Sequence, residues 1–271
     1  MHSQDSHSAL RAEQAILPRH SLLGFFAHPG SLTDYLAFTQ QSVDRDSRES
    51  VLYHNLHSLY SYFTDAKLRE HYQGSTVLVD GMPVIWLMQL LRIRVTREQR
   101  ITYVDFIMPL MQLARDNGWH VFHVGQQATV QQNALNIIRQ QCPGIGIEGH
   151  DGYFDQQPDS PESLAVIDQI NASNSKIVLV GFGAPKQEAW LHAHRHLIDA
   201  PVVFTCGACM EYVAGAVKTP PRWMGRLGLE WSFRLLENPR RFAFRYLVEP
   251  LLLGAILFRN GIGTLINSKQ A

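Results

Sequence analysis

The sequence of 271 residues is poor in cysteine, in net charge and in long apolar runs. Its three cysteines, Cys142, Cys206 and Cys209, are too few and odd in number for a disulfide framework, and they suit a reducing cytoplasm. Lys and Arg number 24 and Asp and Glu 24, so the formal net charge is zero and no global field draws nucleic acid. A spanning helix needs about 18 or more uncharged apolar residues, and no such run occurs. The longest apolar stretch, Leu251–Phe258, is far too short. The opening MHSQDSHSALRAEQA has no apolar centre and is not expected to act as a signal peptide.

Hydrophobic residues, at 45%, are ample for a buried core, which excludes a disordered chain. Residues 1–20 read as a polar tail. Beyond them, short apolar runs alternate with helical periods. Strands are expected at Val51–His54, Thr76–Val79, His120–Val124, Ile145–Glu148, Lys176–Val180 and Val202–Thr205. Helices are expected near 57–70, 83–92, 104–117, 128–141, 161–172 and 185–197. This alternation predicts an α/β fold with a doubly wound, mostly parallel Rossmann-like sheet over residues 21–216. Composition then shifts. Between Lys218 and Arg245 stand seven basic residues and only two acidic ones, Glu230 and Glu237, with Trp, Phe and Tyr between them. Residues 217–271 read as a helical C-terminal appendage.

In an open α/β sheet, ligands bind beyond the carboxyl ends of the strands. Asp80 follows the second strand directly, and Gly81 lets the chain turn. A carboxylate placed there suits a general base, or more plainly a helix N-cap. Gly181 and Gly183 sit between a strand and a helix whose free N–H groups suit a phosphate, with Lys186, Gln187 and Glu188 at the mouth. The dinucleotide fingerprint would need Gly at 186, where Lys stands, so an ordinary tight turn is the plain alternative. Cys206-Gly207-Ala208-Cys209 is formally a C-x-x-C, but it lacks the context of a redox or zinc pair. Asp44-Arg45-Asp46 matches a metal-holding D-x-D, yet lies in a polar stretch that reads as a solvated loop. His192, His194 and His196 alternate at a helix end and are expected to face solvent. The basic, aromatic segment suits a pyrophosphate by its guanidinium geometry, and also an anionic membrane surface.

In order, Asn55, VDGMPVIW, RITYVDF, VFHVG, GHDGYF, VGFGAPKQEAWL, AGAVKTPPRW and GLEWSFRLLENPRRFAFRY resemble the WecG/TagA/CpsF glycosyltransferases from about Val51 to Tyr246. The resemblance implies an inverting, metal-independent transferase without a cofactor, with Asp80 as base and Asn55 beside it. It places Gly81, Thr102, Asp105, Gly125, Gly181, Gly183, Lys186, Gln187 and Glu211 at the donor site. It gives Arg222, Arg234, Arg241 and Arg245 to the pyrophosphate or the membrane. Implied partners are a UDP-sugar, a polyprenyl-diphosphate-linked saccharide acceptor and the inner face of the cytoplasmic membrane. Nucleic acid is not among them, and a homo-oligomer is compatible. Tyr53, Tyr103 and Glu211 depart from the family's usual Thr, Gly and Asp, which leaves N-acetylmannosamine, its uronic acid and glucose open as donors. Two other classes remain on the residues alone: a nucleotide-binding oxidoreductase and a non-catalytic membrane adaptor.

Overall fold

A computed structural model describes residues 17–220, 224 and 228–267. Six strands form one all-parallel sheet: β3 (Glu49–His54), β4 (Thr76–Val79), β5 (His120–Gly125), β6 (Gly146–His150), β7 (Ile177–Gly181) and β8 (Val202–Thr205). Their spatial order is β4-β3-β8-β7-β5-β6. Strands covered on both faces must be apolar almost throughout, and every residue of β4, β7 and β8 is buried. Each expected strand is present, with ends shifted by at most two residues.

Helices cover both faces. On one lie α1 (Leu32–Asp44), α5 (Tyr103–Asp116), α6 (Ala128–Gln141) and the short α9 (Cys209–Val213). On the other lie α2 (Leu56–Thr64), α3 (Ala66–His71), α4 (Met82–Leu90), α7 (Pro161–Ala172) and α8 (Lys186–His194). The single helix expected over 57–70 is two. Asp65 is extended, which ends α2, and its carboxylate accepts from the N–H groups of Lys67 and Leu68, which starts α3.

Two elements before β3 were not anticipated. A hairpin, β1 (His20–Leu22) with β2 (Phe25–Ala27), leads to α1, which a Ser31–Asp34 capping box opens. After the hairpin, His28 pairs with the outer edge of β4. Its N–H donates to the Val77 carbonyl at 2.7 Å, and its Nδ1 accepts the Val77 N–H at 3.0 Å. Burial pushes the His28 pKa down to about 4, which keeps the ring neutral and able to accept. An edge strand is thereby closed to foreign pairing. Leu17 is buried and His20 opens β1, so residues 17–20 belong to the fold; residues 1–16 lie outside those described.

Beyond β8 come α10 (Glu230–Glu237), α11 (Pro239–Ala243), a π-turn at Phe244–Val248 and α12 (Glu249–Asn267). The helix α12 packs on α2 through Leu253 and Leu257, spaced one turn apart. At its start the buried Glu249 carboxylate accepts from His57 Nδ1 at 2.8 Å. Leu251 and Phe258, on the other side of α12, are 74% and 73% exposed. The Leu251–Phe258 run is thus docked on one side and open on the other.

Candidate active site

All six parallel strands end at one edge, and the loops that follow five of them carry most of the expected site. The chain leaves β5 towards β6 and leaves the adjacent β7 towards β8, which makes β5/β7 a topological switch point. A cleft of about 380 Å³ opens there, bordered by Gln126, Gly181, Phe182, Lys186, Glu211 and Val217.

Its floor depends on missing side chains. A Cβ on Gly125, at φ +150°, would stand 2.7 Å from the Gly181 carbonyl oxygen. One on Gly181 would stand 3.0 Å from the Gly207 carbonyl oxygen. Two glutamines lace these close turns. Gln126 Nε2 donates to the carbonyls of Gly181 and Gly207 at 2.9 and 2.8 Å. Gln187 Oε1 accepts the N–H groups of Gly207 at 3.0 Å and Gly183 at 3.3 Å. Gln187 was expected at the mouth and is instead fully buried, shaping the floor from beneath. Glu188 is buried beside it, accepting from Gln187 Nε2 at 2.8 Å, so it too is not at the mouth. Burial pushes the Glu188 pKa up to about 7. Of the PKQE segment, Pro185 and Lys186 face solvent, and Lys186 borders the cleft.

The second half of the site lies at β3 and β4. The Asp80 N–H donates to the His54 carbonyl at 2.9 Å, which continues the β3–β4 ladder one step past its end. Gly81 then turns the chain at φ +130° into α4, where a Cβ would point at Asn55. Asn55 caps α2 by accepting the Ser58 N–H at 3.0 Å. Burial raises the Asp80 pKa, and the cations of Arg100 and Arg234 together with the Asn55 amide partly oppose it.

Arg100 was not among the expected site residues; it appeared only as the first letter of RITYVDF. The next residue, Ile101, donates its N–H to the Val79 carbonyl at 3.0 Å, and this lays the segment across the end of β4. Arg100 bridges to Glu230 of α10 at 2.6 Å, tying the appendage to the Asp80 neighbourhood. The Arg234 guanidinium is set 5.5 Å from the Tyr212 ring. Among the described residues, the Nε atoms of Arg234 and Arg245 are buried without a hydrogen-bond partner. Arg241 is exposed over Phe242, away from this group, and Arg222 lies outside the described residues.

Thr102 caps α5 and is bonded to Asp105 at 2.8 Å, so both polar groups serve the helix start. Tyr53 and Tyr103 meet edge to face at 5.7 Å, between Asp80 and the Gly207 turn. Cys206 and Cys209 are buried free thiols; burial raises both, Cys209 to about 12, which disfavours the thiolate that redox or metal chemistry needs. Asp44 ends α1 and Asp46 makes a turn before β3, at the opposite end of that strand from Asn55, so the D-x-D is a surface loop. His192 and His196 are exposed, but His194 is not. Its ring is enclosed between the carbonyls of Trp190 and Pro158, each at 2.8 Å.

Fold and site together define a Rossmann-like α/β protein with a ligand crevice at the carboxyl edge of its sheet and a partly buried carboxylate among arginines. The chain belongs to the glycosyl transferase WecG/TagA/CpsF family, whose model matches residues 20–265. Among its relatives are proteins named N-acetylglucosaminyldiphosphoundecaprenol N-acetyl-β-D-mannosaminyltransferase. The one from Bacillus subtilis strain 168 is 32% identical over 167 residues, 61% of this chain and 62% of its own. The one from Bacillus spizizenii strain W23 is 33% identical over 182 residues, 67% of each chain. The one from Staphylococcus aureus strain MW2 is 28% identical over 169 residues, 62% of this chain and 64% of its own. The matched stretches thus span about two thirds of the relatives' length.

Proposed function

We propose that the protein transfers a sugar from a UDP-sugar to a polyprenyl-diphosphate-linked saccharide, with inversion and without a metal ion. The observation that carries this reading is Asp80: a desolvated carboxylate at a strand end, beside Asn55, with Arg100 and Arg234 close by. In a single displacement, an Asp80 oxygen takes the proton of the acceptor hydroxyl. The acceptor oxygen bonds to the anomeric carbon as the bond from that carbon to the β-phosphate oxygen breaks. General-base help of this kind is worth roughly 10²–10⁴-fold. The departing UDP gains negative charge, which guanidinium groups and the N–H groups at the glycine turns suit. The buried, unpartnered Nε atoms of Arg234 and Arg245 are donors of the right kind.

The names of the relatives favour N-acetylmannosamine as donor sugar and N-acetylglucosaminyl-diphosphoundecaprenol as acceptor. Such an acceptor lies in a bilayer, and the exposed Leu251, Leu252 and Phe258 of α12 suit peripheral attachment at the inner face of the cytoplasmic membrane. Among the described residues no helix is long and apolar enough to cross a membrane. A panel of UDP-sugars assayed against a synthetic polyprenyl-diphosphate N-acetylglucosamine, with and without EDTA, tests the proposal. Transfer from UDP-N-acetylmannosamine that survives EDTA is expected. Loss of transfer on chelation with recovery on Mg²⁺ or Mn²⁺ overturns the metal-free mechanism, and absence of transfer from every UDP-sugar overturns the reading.

A further inference from the structure

The helix α4 starts at Gly81, directly after Asp80, and buries one face through Met82, Ile85 and Met88. Its opposite face carries Trp86 and Leu90, one turn apart, which are 49% and 79% exposed. The chain then turns at Arg92, with φ +62°, and runs on through Arg94 and Arg97. All three arginines are exposed, and Glu98 is the single acid among them. Apolar tips beside long cationic side chains are unusual on a surface that only meets water.

The geometry points to α4 and the segment 92–97 as a second lipid-contact edge, one that takes the anionic surface of a bilayer. This deepens, and rests on, the reading of the chain as a peripheral membrane transferase. Charge decides the occupant. Three arginines against one acid complement an anionic headgroup layer, where each cation is worth about 1 kcal/mol. Tryptophan and leucine suit the boundary between headgroups and acyl chains. A second copy of the chain fits less well, since two side chains fall far short of the ~800 Å² per partner that a stable protein interface buries.

The edge is also continuous with the appendage. A Cβ on Gly228 would stand 2.8 Å from the Trp86 ring, so the chain leading into α10 lies against that ring. The buried sides of α4 and α12 share one core cluster, which puts both helices in the same layer. Contact through α4 would bring Asp80, at the head of that helix, towards the headgroups, where the diphosphate of a lipid-linked acceptor resides.

The test uses the full-length protein and vesicles of phosphatidylglycerol with phosphatidylcholine, against phosphatidylcholine alone. The triple variant Arg92→Gln/Arg94→Gln/Arg97→Gln should bind the anionic vesicles about 100-fold more weakly, from three lost cations. Trp86→Ser/Leu90→Ser should weaken binding by about tenfold or more, and both variants should keep the wild-type circular dichroism. As a check with a conservative substitution that keeps an apolar ring, brominated lipid should quench wild-type tryptophan emission more than that of Trp86→Phe. Wild-type binding by both α4 variants, together with loss of binding in Leu251→Ser/Phe258→Ser, refutes the second edge while leaving the membrane reading intact. If the wild type binds neither vesicle, the membrane reading and this inference fall together. A change of oligomeric state in Trp86→Ser/Leu90→Ser with vesicle binding unchanged assigns the face to a second copy and overturns the lipid assignment.

Discussion

Asn55 and Asp80 stand side by side, each one residue past the end of its own parallel strand. The Asn55 oxygen is already engaged by the Ser58 N–H, so the amide can meet Asp80 only through its NH₂ group. A helix cap therefore decides which way the amide points, and that orientation turns an N–H rather than an oxygen towards the carboxylate proposed as base.

Replacing Asp80 by Asn removes the proton acceptor while keeping shape. Turnover should fall by about 10²-fold or more, with UDP affinity retained. Because burial raises the Asp80 pKa, the wild-type rate should climb with pH on a limb displaced above the ordinary carboxylate range. The fold favours the protonated form, so Asp80→Asn should also melt no lower than wild type at neutral pH. A variant with near-normal turnover ends the assignment.

Glu188 offers a second pH test, this time of stability. Its folded pKa of about 7 lies above the ordinary 4.5, so its contribution is fully present below pH 4.5 and is lost as pH rises to about 7. The 2.5-unit gap corresponds to about 3 kcal/mol. Glu188→Gln keeps an oxygen for Gln187 and has no proton to lose. Melting curves of the two proteins should diverge between pH 4.5 and 7, with the variant the more stable at the upper end. Parallel curves across that range would show that the carboxyl is not held protonated.

The arginines of the appendage should separate by function. Arg234 acts on Asp80 and is withdrawn from solvent, whereas Arg241 is exposed. Arg234→Ala should lower transfer by roughly tenfold or more, in line with loss of a charge-stabilising donor, and leave vesicle binding within twofold. Arg241→Ala should do the reverse. Equal effects of both substitutions on both readouts would contradict the division.

Gly125→Ala places a methyl group 2.7 Å from a backbone oxygen at a φ that side chains avoid. The expected cost is about 1–3 kcal/mol, read as a lower melting temperature. Gly74→Ala, whose Cβ meets nothing within 4 Å, is a control for the φ penalty alone. A Gly125→Ala protein that melts with the control would show that the β5 turn can yield.

The parallel sheet was legible because its strands are short apolar runs set between helical periods, and VLV and IVLV at β4 and β7 carry no other reading. Asp80 was legible because it ends such a run. The hairpin and α1 escaped notice because the hairpin strands are three residues each and α1 is largely polar. Arg100 and Gln126 escaped for another reason. Both act through neighbours remote in sequence, Glu230 for one and the Gly181 and Gly207 carbonyls for the other. The burial of Gln187, Glu188 and His194 was likewise hidden, since polar residues near a helix start or end read as exposed until their partners are known.

The contacts among Gly125, Gly181 and Gly207 divide the crevice into a part closed to heritable change and a part open to it. A side chain at Gly125 would collide with the Gly181 backbone and one at Gly181 would crowd the Gly207 carbonyl, so change there is disfavoured whatever the substrate. Tyr53, Tyr103 and Glu211 stand beside this floor, and of the three Tyr53 reaches it, through the Gln187 amide at 3.5 Å. Under the proposed function, a lineage can exchange one sugar for another at this rim while the machinery beneath it is inherited unaltered.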